Sequence, residues 1–313
     1  MRPRPWRLVR IAAALVVVTV ALGGCDAEVY GASSRPDRPQ LTVVAPVGTA
    51  EALPEQPVDR PAATFVGLAD RERQATAVAA GAGADITAAV LDRNTGELVT
   101  NGNDRPIAIA SVVKLFIADD LLLQVAKGQT TLSPDDREML DVMLRASDDS
   151  AAEVFWNRSG GSAIVNRVVS RYGLTATRPP SNGRWFNTIS TATDLVRYYD
   201  KLLAGTGGLP GEQASVILAN LAASTPTAPD GMVPGGVYPQ RFGIPEGLPG
   251  DPVAVKQGWM CCVNSDWMHL STGVIGPDRR YVMAIGSMQS TDAATARKTI
   301  TDAVRTMFPD GRI

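Results

Sequence analysis

The strand pattern of this chain is split between two distant stretches, and that split governs what it can fold into. Residues 86–91 alternate apolar and polar side chains, Asp92-Arg93-Asn94-Thr95-Gly96 supplies a turn, and residues 97–100 run back. Much later, residues 253–256, 267–276 and 281–287 carry strand character, divided by polar turns near Asn264-Ser265 and at Pro277-Asp278. Helical patterns precede the first block over residues 65–81 and follow the second over residues 292–308. Between the blocks lie helical stretches at residues 111–126, 133–145, 150–157 and 191–203. Ser133-Pro134 gives a capping serine with proline in the first turn, and Thr191 with Asp194 reads as a capping-box-like pair. Residues 225–250, dominated by glycine and proline, read as a long surface loop. The pattern predicts an α+β fold: a five-stranded antiparallel sheet flanked by helices, plus an all-helical lobe.

The N-terminus predicts export. Residues 1–24 carry Arg2, Arg4, Arg7 and Arg10, then an apolar run over residues 11–22, then small residues, the layout of a secretory signal too short to span a bilayer. Leu22-Gly23-Gly24-Cys25 looks like a bacterial lipobox, which would make Cys25 the lipidated first residue of the mature protein. Residues 25–62, rich in proline, predict an extended tether, leaving residues 63–313 as one domain with a substantial core. The expected location is the extracytoplasmic face of the cell membrane, held by the lipid. Loss of four arginines and no acid takes the formal net charge from -2 to about -6, which argues against nucleic acid as a partner. Cys261 and Cys262 would point to opposite faces of a strand, so no structural disulfide is expected. His269 is the sole histidine, which leaves little for a His-based metal site or a Ser-His-Asp triad, and no metal or cofactor is predicted.

Three short segments carry the chemistry: Ser111-Val112-Val113-Lys114, Ser147-Asp148-Asp149 and Lys256-Gln257-Gly258. A serine hydroxyl is a weak nucleophile at neutral pH and needs a base within hydrogen-bond reach. Lys114, three residues on, falls on the same face of a helix as Ser111. Alone such a pair fits an ordinary exposed helix turn, and Ser147 fits a helix cap with Asp149 in the first turn. Their order, with the first segment opening a helix after the hairpin, resembles the serine β-lactamase and penicillin-recognising D,D-peptidase superfamily, class A-like, in the form of a lipid-anchored actinobacterial lipoprotein.

That resemblance implies catalytic roles: Ser111 as nucleophile, Lys114 as base, Ser147 as proton relay, and Lys256 as the cation that attracts a substrate carboxylate. It makes Asp149, Gln257, Gly258 and Trp259 substrate-binding positions, with the backbone amides of Ser111 and Trp259 as the oxyanion hole. Two positions depart from the pattern. Asp149 replaces an asparagine and, when ionised, only accepts hydrogen bonds; Gln257 replaces a threonine or serine. Residues 174–190, where class A enzymes carry a deacylating glutamate, hold no acid but Arg178, Arg184 and Trp185. The expectation is a degenerate relative that binds, or is slowly acylated by, peptidoglycan-type or β-lactam ligands. An active D,D-peptidase or acyl hydrolase and a non-catalytic envelope scaffold are the alternatives.

Overall fold

The computed structural model describes residues 63–313, so the expected signal segment, Cys25 and the tether lie outside the described residues. Helix α1 (Leu68–Gly81) leads into the hairpin of β1 (Ala84–Asp92) and β2 (Glu97–Thr100), whose turn places Gly96 at φ 75°. A short strand β3 (Ile107–Ala108) and a 3₁₀ turn (Ala110–Val113) open α2 (Lys114–Ala126), followed by α3 (Pro134–Arg145), α4 (Asp149–Arg158) and α5 (Ser162–Tyr172). Strand β4 (Ile189–Ser190) pairs with β3 and leads into α6 (Ala192–Ala204) and α7 (Gly211–Ala222). The pair β5 (Thr227–Pro229) and β6 (Val237–Pro239) and one helical turn, α8 (Ile244–Gly247), come next. The long strands β7 (Val253–Val263), β8 (Asp266–Ile275) and β9 (Tyr281–Gln289) and helix α9 (Ala293–Met307) complete the fold.

The α+β fold follows the expected plan. Its antiparallel sheet runs β2-β1-β9-β8-β7, so the last strand in sequence sits in the middle and pairs with the first. That junction, in register from Ala84 opposite Gln289 to Asp92 opposite Tyr281, ties the two strand blocks together. All of β9 is buried, as befits a central strand covered on both faces. Ile86, Ala88, Met283 and Ile285 face α1 and α9, while Ala89, Val282 and Ala284 face the helical lobe, the period-2 alternation seen from within.

Helix α2 is the hub of the helical lobe, and every residue from Lys114 to Leu123 on it is buried. A helix buried all round has no polar face to show, so its acids must find partners inside. Asp120 takes a bidentate pair from Arg167, at 2.8 and 2.7 Å, and Asp119 takes Arg171 and the Tyr172 hydroxyl. The Ser133 cap forms as expected, a full capping box with Asp136. Thr191 caps α6 through the Asp194 amide, but the Asp194 carboxylate turns instead to the amides of Thr175 and Ala176 and the Thr177 hydroxyl.

One expectation needs correcting. Residues 225–250 are not merely a surface loop: they fold into the β5–β6 pair and α8, and Tyr238, Phe242, Ile244 and Leu248 enter the core beneath the sheet. The apolar residues there are spaced by prolines and glycines without period, so no helix or strand signal shows.

Candidate active site

Strand β7 is an edge strand, and the 3₁₀ turn carrying Ser111 packs against it. Gly258 makes the approach possible: a Cβ there would lie 2.5 Å from the Ile109 carbonyl oxygen. Ser111 lies in the 3₁₀ turn and the α-helix begins at Lys114, three residues later than expected. In a 3₁₀ turn residues i and i+3 eclipse, which stacks the lysine over the serine. Lys114 Nζ lies 2.9 Å from Ser111 Oγ. Ala110, just before the nucleophile position, adopts φ 42°, and Ser147 adopts φ 57°, both in the left-handed region that a non-glycine residue rarely occupies.

The cap of α4 is Asp148, not Ser147: its side chain accepts from the Ala151 amide at 2.7 Å. The Ser147 hydroxyl is therefore free of helix duty and sits between the two lysines, 2.7 Å from Lys256 Nζ and 3.3 Å from Lys114 Nζ. Lys114 also reaches the Ser147 carbonyl and Asp149 Oδ1, each at 2.6 Å. Ser111, Ser147 and Asp149 together offer three close acceptors, the number of hydrogens an ammonium carries.

Both amines are fully enclosed. Burial pulls Lys114 below the ordinary lysine value, and the Asp149 carboxylate draws it part of the way back. Lys256 is held well below that value too, by burial first and the neighbouring Lys114 second. Thr272 donates to the Lys256 carbonyl at 2.9 Å and is itself 3.0 Å from Tyr199, so the helical lobe fixes the strand that carries this lysine.

The remaining site positions divide. Asp149 is half-exposed at the cleft, with Gly231 packed on its other oxygen. Gln257 faces away: its amide donates to the carbonyls of Gln240 and Phe242 at 3.2 and 2.7 Å. The Trp259 ring stacks on Tyr238 at 4.7 Å. Trp267 packs in the same aromatic group, against His269 at 5.7 Å. His269 is buried with Nε2 2.6 Å from the Tyr238 hydroxyl, and burial first, Arg297 second, holds it down at about 3, so it stays a neutral structural residue.

The acid-free stretch contributes a wall. Trp185 places its ring 4.8 Å from Lys114 Nζ and its indole nitrogen donates to Glu153 at 3.0 Å. Sequence reasoning missed Glu153, which comes from α4, and also Phe186, Met232 and Cys261, which line the cleft. The cysteine expectation is corrected as well: Cys261 and Cys262 form a disulfide, their Cα atoms 2.9 Å apart across a cis peptide. Strict alternation assumed a regular strand, whereas β7 breaks register between Met260 and Val263.

The cleft encloses about 160 Å³. A larger depression of about 770 Å³ between α2 and α5 holds no pair of nucleophile and base, and its arginines are spent on Asp119, Asp120 and Asp136. Among the described residues no group of three or more histidines, cysteines or acids is placed to hold a metal ion, and no helix is long and apolar enough to cross a membrane.

The same fold occurs in solved β-lactamases. A β-lactamase from Chitinophaga pinensis matches with a TM-score of 0.62 at 16% identity, over 78% of this chain and 100% of its own. The class A β-lactamase of Mycobacterium abscessus gives 0.61 at 20%, over 77% and 98%, and the TLA-1 extended-spectrum enzyme 0.63 at 14%, over 78% and 98%. This is a protein of the class A β-lactamase-like fold. No protein-family model matches the chain. The lipoprotein LppW of Mycobacterium tuberculosis is 59% identical to it over an alignment of 322 positions that spans all of both chains, as is its counterpart in Mycobacterium bovis, and the chain belongs to the LppW family.

Proposed function

We propose that this is a lipid-anchored cell-envelope protein whose domain is a serine acyl acceptor of low turnover. Cys25 is the anchor and residues 26–62 the tether, supported by the order of charged, apolar and small residues at the N-terminus and by the naming of the relatives as lipoproteins. The observation that carries the acyl-acceptor reading is the 2.9 Å separation of Ser111 Oγ and Lys114 Nζ, within a group that also holds Ser147 and Lys256.

In this reading Ser111 attacks an activated carbonyl, Lys114 takes the hydroxyl proton, and Ser147 with Lys256 passes a proton to the leaving group. Peptidoglycan-type peptides and β-lactams react slowly. Asp149 stabilises the ammonium form of Lys114, which cannot accept a proton, and Gln257 has no amide hydrogen turned toward a ligand carboxylate. Persistence of the acyl group is supported by residues 174–190, which hold no acid and set the Trp185 ring beside Lys114.

The test is exposure of the detergent-purified full-length protein to a fluorescent penicillin, followed by intact mass. An adduct that forms over hours and is absent from Ser111→Ala supports the reading. No adduct after prolonged exposure favours a binding module or scaffold, the reading that the Asp149 pair with Lys114 favours on its own.

A further inference from the structure

The cleft beside Ser111 is walled by apolar groups: Ala110, Trp185, Phe186, Met232, Met260 and Cys261. Met232, in the β5–β6 connection, also reaches solvent, exposed by 38%. The charged side chain lining this cleft is Asp149, an anion.

Among the described residues no cation is offered to a ligand there. Lys114 and Lys256 are enclosed, and their amines bond to Ser111, Ser147, Asp149 and the Gln257 carbonyl. The Gln257 amide hydrogens are taken by backbone carbonyls. A carboxylate entering this cleft would lose its water, meet the Asp149 carboxylate and find no free cation in return. The volume, about 160 Å³, is also small beside the ~300–1,000 Å³ of pockets that take drug-sized ligands.

We infer that the acyl donor this site accepts is a neutral ester with a short apolar acyl chain, not a carboxylate-bearing amide. The inference rests on the serine acyl-acceptor reading and specifies its substrate class. The Ser111 oxygen bonds to the ester carbonyl carbon while its proton passes to Lys114. The carbon–oxygen bond to the leaving alcohol breaks as the tetrahedral species collapses, and the proton returns through Ser147 to the departing oxygen, giving O-acyl-Ser111 and a free alcohol. Water later splits the acyl-serine to a carboxylic acid and restores the hydroxyl. An ester suits this site because its carbonyl is more electrophilic than an amide's, and so asks less of a lysine whose neutral form Asp149 disfavours.

The experiment compares two esters of equal chain length, p-nitrophenyl butyrate and p-nitrophenyl hemisuccinate, which differ by a terminal carboxylate, on the detergent-purified full-length protein. Nitrophenolate release and intact mass report acylation, with Ser111→Ala as the blank. Butyrylation of Ser111 at least tenfold faster than succinylation is expected. Met232→Lys, a change at an exposed rim position, is expected to narrow that ratio, since it supplies the missing cation; a global loss of fold would abolish both rates instead of changing their ratio. Equal or faster succinylation overturns the inference, as does a penicillin adduct with neither ester reacting, which leaves the acyl-acceptor reading standing. No adduct from either ester or from penicillin overturns both.

Discussion

Lys114 Nζ lies closer to Asp149 Oδ1, at 2.6 Å, than to the Ser111 hydroxyl it would have to deprotonate, at 2.9 Å. The two contacts oppose each other chemically. A lysine takes a proton only as the neutral amine, and a carboxylate at ion-pair distance favours the ammonium. Burial works in the other direction and lowers the lysine's affinity for its proton, so Asp149 acts as a brake on a base that burial has already prepared.

Asp149→Asn releases that brake. The change keeps the shape of the side chain and removes its charge, so the Lys114 value drops further and more amine is neutral at a given pH. A shift of one pH unit corresponds to about tenfold in the neutral fraction while the amine is mainly protonated. Acylation of Ser111 is expected to speed up about tenfold near neutrality. Its rate rises with pH in both proteins, and the rising limb moves to lower pH in the variant. Rates of adduct formation between pH 6 and pH 10 check this; two superimposable profiles would show that Asp149 does not govern the base.

Gly258→Ala should disable the site from the strand side. The added methyl would stand 2.5 Å from the Ile109 oxygen and 3.3 Å from a Val112 methyl, forcing β7 and the Ser111 turn apart. Overpacking of this kind costs about 1–3 kcal/mol, and acylation should fall more than the stability does, because the turn that carries Ser111 is pushed away from the strand that carries Lys256. Gly81→Ala, at the end of α1 where nothing lies within 4 Å of the added atom, is the control and should be close to neutral. Chemical denaturation and adduct rates separate the two effects. If Gly258→Ala unfolds at the wild-type midpoint and acylates normally, the close approach has no role.

The parts of the fold legible in the sequence are those whose cause is local. The Asp92 to Gly96 turn, the Ser133-Pro134 cap and the three strands ending at Gln289 each declare themselves within a few residues. The Ser111 and Lys114 pair was legible for the same reason, since a single turn brings them together. What could not be read depends on distant chain. Ser147 and Asp148 are both good cap residues, and only the lysine arriving from β7 shows why the aspartate caps while the serine is held at φ 57°. The orientation of Gln257 depends on the carbonyls of Gln240 and Phe242, in a segment whose glycines and prolines hid its core residues. Asp119 and Asp120 look like the wet face of a helix until α5 supplies Arg167, Arg171 and Tyr172.

Glu72 carries the last prediction. It lies with Leu68, Ala75 and Ala79 on the buried stripe of α1, and both its carboxylate oxygens are buried without a hydrogen-bond partner among the described residues. Burial alone lifts its value from 4.5 to about 8, so the folded protein holds a proton there at pH 7 while the unfolded chain has released it. The state that binds more protons is favoured by acid, and here that state is the folded one. This group's contribution to stability is therefore fullest below about 4.5 and is lost as pH rises toward about 8, at up to about 1.4 kcal/mol per pH unit. Glu72→Leu keeps the stripe apolar and removes the titration. The variant should be more stable than wild type by several kcal/mol at pH 8.5, with a gap that shrinks steadily as pH is lowered to 5. Urea unfolding of both proteins across that range measures the gap. A difference that stays constant with pH would mean that the Glu72 carboxyl ionises alike in the folded and unfolded chains, and that the buried, unpaired acid is not what α1 contains.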